Sequence, residues 1–263
     1  MTVSIATWNI NSVRLRIGLV EAFLAAEAPD ILCLQETKSP VEKIPADRLA
    51  TAGYELITAR GFKGYNGVAI LSRIGGKAVD HKEMCGKDDA RHCAMELSDG
   101  TILHNYYVPA GGDVPDRDEN PKFGHKLDFM AEMTDWSSSL KGRHIIVGDL
   151  NIAPLEHDVW SHKQLLKVVS HTPVETDAMM ALMQAGEWTD TTRRDIPEPE
   201  KIYSWWSYRA RDWEATDKGR RLDHIWCRGG LTHVAGSGRV GKAWRGRSEK
   251  PSDHAPVFAT FDL

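Results

Sequence analysis

Four strand-like runs of this 263-residue chain each carry acidic, amide or imidazole side chains at one end. These groups are, in chain order, Asn9, Glu36, the Asp149/Asn151 pair and the Asp253-His254 pair. Polar groups at the ends of neighbouring buried strands converge on one pocket, and a pocket rich in carboxylates suits a hard divalent cation. The pattern therefore predicts a hydrolytic metal site.

The metal in such a site has a defined task in phosphodiester hydrolysis near neutral pH. It polarises the phosphoryl oxygen, while a base orients the attacking water and a donor stabilises developing charge. Glu36 could offer Mg²⁺ a hard oxygen, together with one or more of Asn9, Asn11 and Asp253. The sequence leaves open whether one or two metal ions bind.

The remaining polar groups fit acid–base roles. Asp149 could take a proton from water while Asn151 fixes the phosphate. His254 could donate to a phosphoryl oxygen if Asp223 holds its other ring nitrogen, and Tyr107 offers a phenol to the same pocket. Each residue alone also fits a turn or a surface pair, so the prediction rests on their joint occurrence. Whether Asp149 or another group activates the water stays open.

Composition narrows the class of protein. With 41% hydrophobic and 27% charged residues the chain can form a large core, and no apolar run approaches the roughly 20 residues that span a bilayer. The first residues lack the features of a secretory signal, so we expect a cytoplasmic protein, and we separately expect it to be a monomer. The cysteines show no CxxC spacing and are expected to be buried free thiols: Cys33, Cys85, Cys93 and Cys227.

Charge is distributed unevenly along the chain. The whole chain carries −4, but residues 201–251 hold twelve Lys and Arg against five acids, a net of +7, which leaves −11 elsewhere. Such asymmetry suggests one face built for a polyanion, and a solvated charged surface is the alternative. We expect the part from Arg209 to Lys250 to lie against phosphates.

Periodicity predicts many strands and few helices. Helical spacing covers Leu15 to Ala26, Lys126 to Leu140 and Glu175 to Gln184, with Gly186 as the stop of the last. Strand patterns cover Val3–Trp8, Asp30–Leu34, Tyr54–Thr58, Gly67–Leu71, Cys93–Leu97, Thr101–Tyr106, Ile145–Val147, Tyr203–Trp206, Leu222–Trp226 and Val257–Phe261. Residues 111–120 and 197–201 are predicted loops within a single domain of residues 1–263, in which two packed sheets are flanked by helices.

Several motifs resemble the exonuclease III family of abasic-site endonucleases, in the family's order and over nearly the whole chain. They are Trp8–Arg14, Leu34–Lys38, Tyr107–Pro109, Gly148–Pro154, Arg221–Asp223 and Ser252–Pro256. The resemblance implies a four-layered α/β sandwich of the endonuclease/exonuclease/phosphatase type with two mixed β-sheets. It also implies Mg²⁺ or Mn²⁺ dependence, cleavage 5′ to abasic sites, and 3′→5′ exonuclease and 3′-end-cleaning activities on duplex DNA.

The resemblance also implies two sets of site residues. The metal set is Asn9, Glu36, Asp149, Asn151, Asp253 and His254, and the DNA-binding set is Asn11, Arg91, Lys126, Trp205, Arg209 and Arg220. Tyr203–Arg209 looks like the family's aromatic block, which walls a pocket for an extruded sugar. Strand alternation would place Trp205 in that pocket and Trp206 in the core.

Two positions depart from the family pattern. Arg220 stands where an apolar or aromatic pocket residue is common, and Ala110 to Asp113 replace an Asn and a duplex-inserting Arg found in some members. A guanidinium at Arg220 would lie close to a phosphate and strengthen 3′-end processing relative to incision, or else swing out to solvent.

Two other functions compete with a DNA-repair nuclease. A phosphomonoesterase acting on lipid or inositol head groups would share the metal motifs, but the aromatic block and the basic excess count against it. A catalytically idle binding module would require a lost ligand, yet every expected position is filled.

Overall fold

The fold consists of two mixed β-sheets packed face to face, with helices on both outer faces. The computed structural model describes residues 1–246 and 250–263. Its strands are β1 Thr2–Asn9, β2 Ile31–Gln35, β3 Glu55–Phe62, β4 Tyr65–Ser72, β5 Lys77–Val79, β6 His92–Glu96, β7 Ile102–Tyr107, β8 His144–Asp149, β9 Thr189–Asp190, β10 Asp223–Arg228, β11 Thr232–His233, β12 Arg239–Val240 and β13 Val257–Asp262. The predicted four-layered sandwich is confirmed.

The helices connect and cover these strands. They are α1 Ile17–Glu27, α2 Ala46–Thr51, α3 Pro121–Ser139, α4 His162–Leu165, α5 Pro173–Ala185, α6 Thr191–Asp195 and α7 Trp213–Thr216, with 3₁₀ turns at Val41–Lys43, Glu156–Asp158 and Lys242–Arg245. The three predicted helices are present, and Gly186 follows α5 directly as expected. No helix in the described ranges has the length and apolarity to cross a bilayer.

The order of the strands brings the predicted site ends together. The first sheet runs β11-β13-β1-β2-β4-β3, with β12 also beside β13, and the second runs β5-β6-β7-β8-β10-β9. The pairs β1/β2 and β7/β8 are parallel and the others antiparallel. Since β1, β2, β7 and β8 end where β10 and β13 begin, the predicted polar groups lie at one edge of both sheets.

Alternation along each strand divides the side chains between layers. In β1, Val3 and Ile5 point into the core between the two sheets, while Ala6 and Trp8 pack under α1 with Phe23. On the other side, α3 and α5 cover the second sheet through an apolar cluster that includes Met130, Met133, Met179, Leu182 and Trp226. This burial on both faces of each sheet holds the strand ends in fixed positions.

Two predictions about the chain need correction. Tyr203–Trp206 is not a strand, since the backbone N–H groups of Ser204 and Trp205 both donate to the carbonyl of Arg220 and leave only isolated bridges. All four cysteines are free as predicted, but Cys85 is only half-buried. Arg247 and Glu249, counted in the basic segment, lie outside the described residues.

Candidate active site

His254 lies at the centre of the site, between two carboxylates from neighbouring strands. Its Nδ1 is 2.8 Å from Oδ2 of Asp223, and its Nε2 is 3.7 Å from Oδ2 of Asp149. Asp223 begins β10 and Asp149 ends β8, and the two residues are directly paired in the antiparallel register. All three side chains are buried. The predicted Asp223–His254 pair is therefore present in the geometry.

The electrostatics of this trio favour a charged imidazole. Burial works against the charge of His254, but Asp223 and Asp149 outweigh it and raise the pKa of His254 to about 10. Burial raises the pKa of Asp149 to about 7, because the nearby His254 only partly offsets the desolvation and the charge of Asp223. An imidazolium thus faces a carboxyl group able to exchange a proton near neutral pH.

Asn9, at the end of β1, joins the trio to Glu36. Its Nδ2 donates to Oε1 of Glu36 at 2.9 Å and to Oδ2 of Asp149 at 2.8 Å, while its Oδ1 accepts from the backbone N–H of Asn11. The donor side of the amide therefore faces the carboxylates. Asn9 therefore orients the two acids, and its predicted role as an oxygen ligand of the metal stays a prediction.

Glu36 is placed by a sharp turn immediately after β2. Its backbone has φ +48°, a left-handed conformation that non-glycine residues adopt at a cost and that is often found at functional sites. Burial opposes ionisation of Glu36, but Lys38, 2.7 Å away, and the hydrogen bond from Asn9 lower its pKa. Glu36 is thus an ionised oxygen donor at neutral pH.

Asp253 is held in the site by two side-chain hydrogen bonds. Its Oδ1 accepts from Asn11 Nδ2 at 3.1 Å and its Oδ2 from Trp205 Nε1 at 3.0 Å. Burial opposes its charge, but His254 and these two hydrogen bonds lower the pKa of Asp253. Asn11 also accepts from Lys38 at 2.6 Å, so Asn11 links two site residues.

The donor set fits a hard divalent cation. Asp149, Asp223 and His254 offer ligand atoms that lie within 4.8 Å of one another. Oδ1 of Asp223 is buried and has no hydrogen-bond partner among the described residues. With ionised Glu36 held through Asn9 to the same cluster, the site presents several converging carboxylate oxygens, the ligands that Mg²⁺ and Mn²⁺ prefer.

A pocket of about 750 Å³ opens in front of these groups. Its lining includes Tyr107, Asp149, Asn151 and His254. The rest of the lining is a mixture of aromatic, apolar and charged side chains, among them Trp160, Val169, Trp205, Arg209, Lys218, Arg220 and Leu222. As alternation predicts, Trp205 lines the pocket while Trp206 is only 1% exposed.

Comparison with known proteins agrees with this architecture. Residues 6–254 match the profile of the Endonuclease/Exonuclease/phosphatase family. The chain belongs to this family. It is 30% identical to exodeoxyribonuclease III of Haemophilus influenzae, over 97% of this chain and 98% of that protein.

Two solved structures of the family are similar over nearly their whole length. An AP endonuclease from Archaeoglobus fulgidus is 30% identical with a TM-score of 0.90, covering 99% of this chain and 100% of that one. A 3′ phosphatase from Neisseria, bound to a product DNA hairpin, is 32% identical with a TM-score of 0.87 and the same coverage. The resemblance to exonuclease III-type nucleases is confirmed.

Lys126, which was predicted to bind DNA, is buried inside the protein. Its ammonium group is fully buried, 2.5 Å from Glu175, and donates to the carbonyl of Asn151 at 2.8 Å. A cation enclosed in this way cannot reach a phosphate, so the prediction that Lys126 binds DNA is wrong. It anchors the loop of Asn151, whose Nδ2 donates to the carbonyl of Val108 at 2.9 Å.

Arg91 is also withdrawn from the surface. It is 9% exposed, pairs with Asp89, donates to the carbonyl of Tyr107 and lies 5.0 Å from the centre of the Tyr107 ring. Arg91 thus holds Tyr107 in position from behind, which leaves little of it for DNA. Burial, together with the charges of Glu36 and Asp149, raises the pKa of Tyr107, so its phenol stays protonated.

The basic excess is only partly available to a polyanion. Arg221 is buried between Asp158 and Asp190, and other members pair with acids: Arg239 with Glu27 and Lys242 with Asp217. The expectation that the whole segment faces phosphates is therefore wrong. Arg209, Lys218 and Arg220 remain along the pocket wall, while Asp113 stands at its exposed rim.

Sequence reasoning missed three residues that support the site. Ser204 Oγ donates to Asp223 at 2.6 Å, Ser252 Oγ donates to the carbonyl of Asn9 at 2.6 Å, and Lys38 pairs with Glu36. All three lie inside the recognised motifs. Their roles could not be read there, since each depends on a partner distant in sequence or on the turn that brings it back.

Proposed function

We propose that this protein is a DNA-repair nuclease that hydrolyses phosphodiesters of duplex DNA in an Mg²⁺-dependent reaction, with Mn²⁺ able to substitute. Its reactions would be incision 5′ to abasic sites, 3′→5′ exonuclease cleavage and cleaning of blocked 3′ ends. The observation that carries the proposal is His254 held between Asp223 and Asp149 in a pocket that Glu36 also lines. Its kinship with exodeoxyribonuclease III supports the substrate class.

His254 would stabilise negative charge on the phosphoryl oxygens. Asp223 fixes Nδ1, so Nε2 points towards Asp149 and the pocket. Of the two roles predicted for His254, metal ligand and proton donor, we propose the second, because Asp223 binds Nδ1 and leaves Nε2 to face the pocket as a donor.

Asp149 would accept the proton of the attacking water. Its pKa of about 7 matches that task better than the phenol of Tyr107, whose raised pKa makes it a donor at neutral pH. Asn151, one N–H of which is bound to Val108, keeps its amide oxygen and second N–H for water or phosphate.

Glu36, Asp149 and Asp253 would hold the metal ion through their carboxylate oxygens. When bound, the cation neutralises charge on the phosphate and favours in-line attack. Asn9 and Asn11 keep the carboxylates at their spacing through side-chain hydrogen bonds. Both amides would therefore position the ligands of the cation without binding it themselves.

DNA would enter along the wall that contains Trp205 and Arg209. An extruded abasic deoxyribose carries no base. The sugar can therefore bind against the apolar surfaces of Trp205 and Leu222. Arg209 and Lys218 would contact the flanking phosphates. Because the pocket groups come from both sheets, we also propose that the chain acts as one domain.

Incubation with labelled duplexes tests the proposal. A duplex with one abasic analogue should be cut 5′ to the analogue with Mg²⁺ and left intact with EDTA. The His254→Asn variant, folded as judged by circular dichroism, should lose the activity. If wild type with Mg²⁺ or Mn²⁺ leaves abasic, recessed-3′ and 3′-phosphate duplexes intact, the proposed function is wrong.

A further inference from the structure

Arg220 is built into the pocket wall as a fixed cation. Its Nη1 donates to the carbonyl of Val169 at 3.0 Å and to Ser170 Oγ at 2.8 Å, and its guanidinium carbon lies 5.2 Å from the centre of the Trp205 ring. The side chain is half-buried and lines the pocket with Asp149 and His254. It has therefore not swung out to solvent.

No carboxylate among the described residues forms an ion pair with Arg220. Arg221, the next residue, is enclosed by Asp158 and Asp190, whereas Arg220 forms no ion pair within residues 1–246 and 250–263. The acid whose charge acts on it, Glu175, is already bound by Lys126. Both described hydrogen bonds leave from Nη1, so Nε and Nη2 keep donors for a ligand.

Two substrates of the proposed reaction differ in the group attached beyond the scissile phosphorus. In both, the water oxygen bonds to phosphorus and its proton passes to Asp149, the bond from phosphorus to O3′ of the preceding nucleotide breaks, and O3′ takes a proton from solvent, to which Asp149 later returns its own. On the side away from O3′, the phosphorus of an abasic site is linked to a neutral deoxyribose. The phosphorus of a 3′-phosphate carries a further charged oxygen at that position. A guanidinium fork binds such terminal oxygens in pairs, and an apolar wall suits the sugar.

We propose that Arg220 binds the 3′-terminal phosphate monoester of duplex DNA and makes this site favour removal of 3′-phosphates over incision at internal abasic sites. The inference rests on the proposed function. Trp205 supports the guanidinium from one face, and Ser170 and Val169 fix one of its nitrogens, so the side chain is oriented before DNA binds. Preorganisation of this kind distinguishes Arg220 from a mobile surface cation.

Kinetics on two duplexes test the role of Arg220. For wild type, Arg220→Leu and Arg220→Lys, kcat/KM is measured on a recessed 3′-phosphate and on an internal abasic analogue. Loss of a charge-assisted contact should lower the first value by about 10- to 100-fold more than the second in Arg220→Leu. Arg220→Lys should recover part of the difference. An unchanged ratio in a folded Arg220→Leu variant overturns the inference.

A binding measurement and a matched control separate the possible failures. In EDTA, wild type should bind the 3′-phosphate duplex more tightly than the same duplex with a 3′-hydroxyl, and Arg220→Leu should lose this preference. Arg143→Leu removes the same charge before β8, at the end opposite Asp149, and should keep the wild-type ratio. Wild type inactive on both duplexes and on a recessed 3′-hydroxyl duplex refutes the proposed function; wild type active on these duplexes, with an unchanged ratio in Arg220→Leu, refutes only the inference.

Discussion

Nδ1 of His254 lies 2.8 Å from Oδ2 of Asp223, and the same carboxylate oxygen accepts from Ser204 Oγ at 2.6 Å. The three residues are distant in sequence, and each meets the others at the edge of the second sheet. Ser204 thus fixes Asp223, and Asp223 in turn fixes the ring of His254. Asp223 therefore acts on the reaction through the imidazole.

Replacement of this pair should show strong coupling. His254→Asn should lower kcat by about 100-fold or more with little change in DNA binding, since the contact is made in the transition state. Asp223→Asn should have a weaker effect in the same direction. The double variant should resemble His254→Asn alone in single-turnover kinetics, and effects that multiply independently would contradict the coupling.

Glu36 should behave as a metal ligand. Glu36→Gln removes an ionised oxygen while retaining shape, so activity at limiting Mg²⁺ should fall by about 100-fold, with partial recovery in excess Mn²⁺. Metal titrations of activity and isothermal calorimetry would measure the shift in affinity. Glu42→Gln, on the exposed turn after β2, is the matched control. Unaltered turnover of Glu36→Gln at limiting Mg²⁺ would exclude a ligand role.

Arg209 and Lys242 should differ in their contribution to DNA binding. Arg209 lines the pocket, whereas Lys242 is 2.8 Å from Asp217 and stacks near Trp206. Arg209→Ala should weaken binding and reduce the slope of log affinity against log salt by about one unit. Lys242→Ala should change that slope much less. A slope for Arg209→Ala equal to that of wild type, measured by fluorescence anisotropy, would show that Arg209 makes no phosphate contact.

A row of buried histidines across the second sheet should make the protein sensitive to acid. The backbone N–H of Lys82 donates to His92, which is 3.1 Å from His104, and His104 is 3.1 Å from His144. This chain of hydrogen bonds requires neutral rings. Burial lowers the pKa of His92 to about 3 and lowers that of His104 well below its usual value.

The sign of the effect is set by proton uptake in the unfolded chain. Below pH about 6.5 a histidine in the unfolded chain binds a proton, whereas His104 in the folded protein stays neutral. The free energy of unfolding therefore falls by up to about 1.4 kcal/mol for each pH unit of acidification from this group. His104→Gln keeps a donor and an acceptor but cannot titrate. Urea unfolding at pH 7 and 5 should show a smaller loss in this variant, and an equal loss would refute the prediction.

The sequence by itself determined which groups meet. The apolar runs before Asn9, Glu36 and Asp149 predict buried strands. Where such strands pair in parallel within two stacked sheets, their carboxyl ends lie at the same edge. The Asp-His pair before β13 joins them because β13 lies antiparallel to β1. The predicted separation of Trp205 from Trp206 is also present, although residues 203–206 do not form the strand from which it was predicted.

Only the tertiary structure decided what each group does once there. Lys126 was expected on DNA but is buried against Glu175, 49 positions later, and Asn9 turns its donor side to two acids from different strands. Arg220 and Arg221 are identical in type and adjacent, yet one is enclosed by carboxylates and the other is left for the pocket. Local pattern specifies the face of an element, whereas charge partners and burial depend on residues that the chain brings close only when it folds.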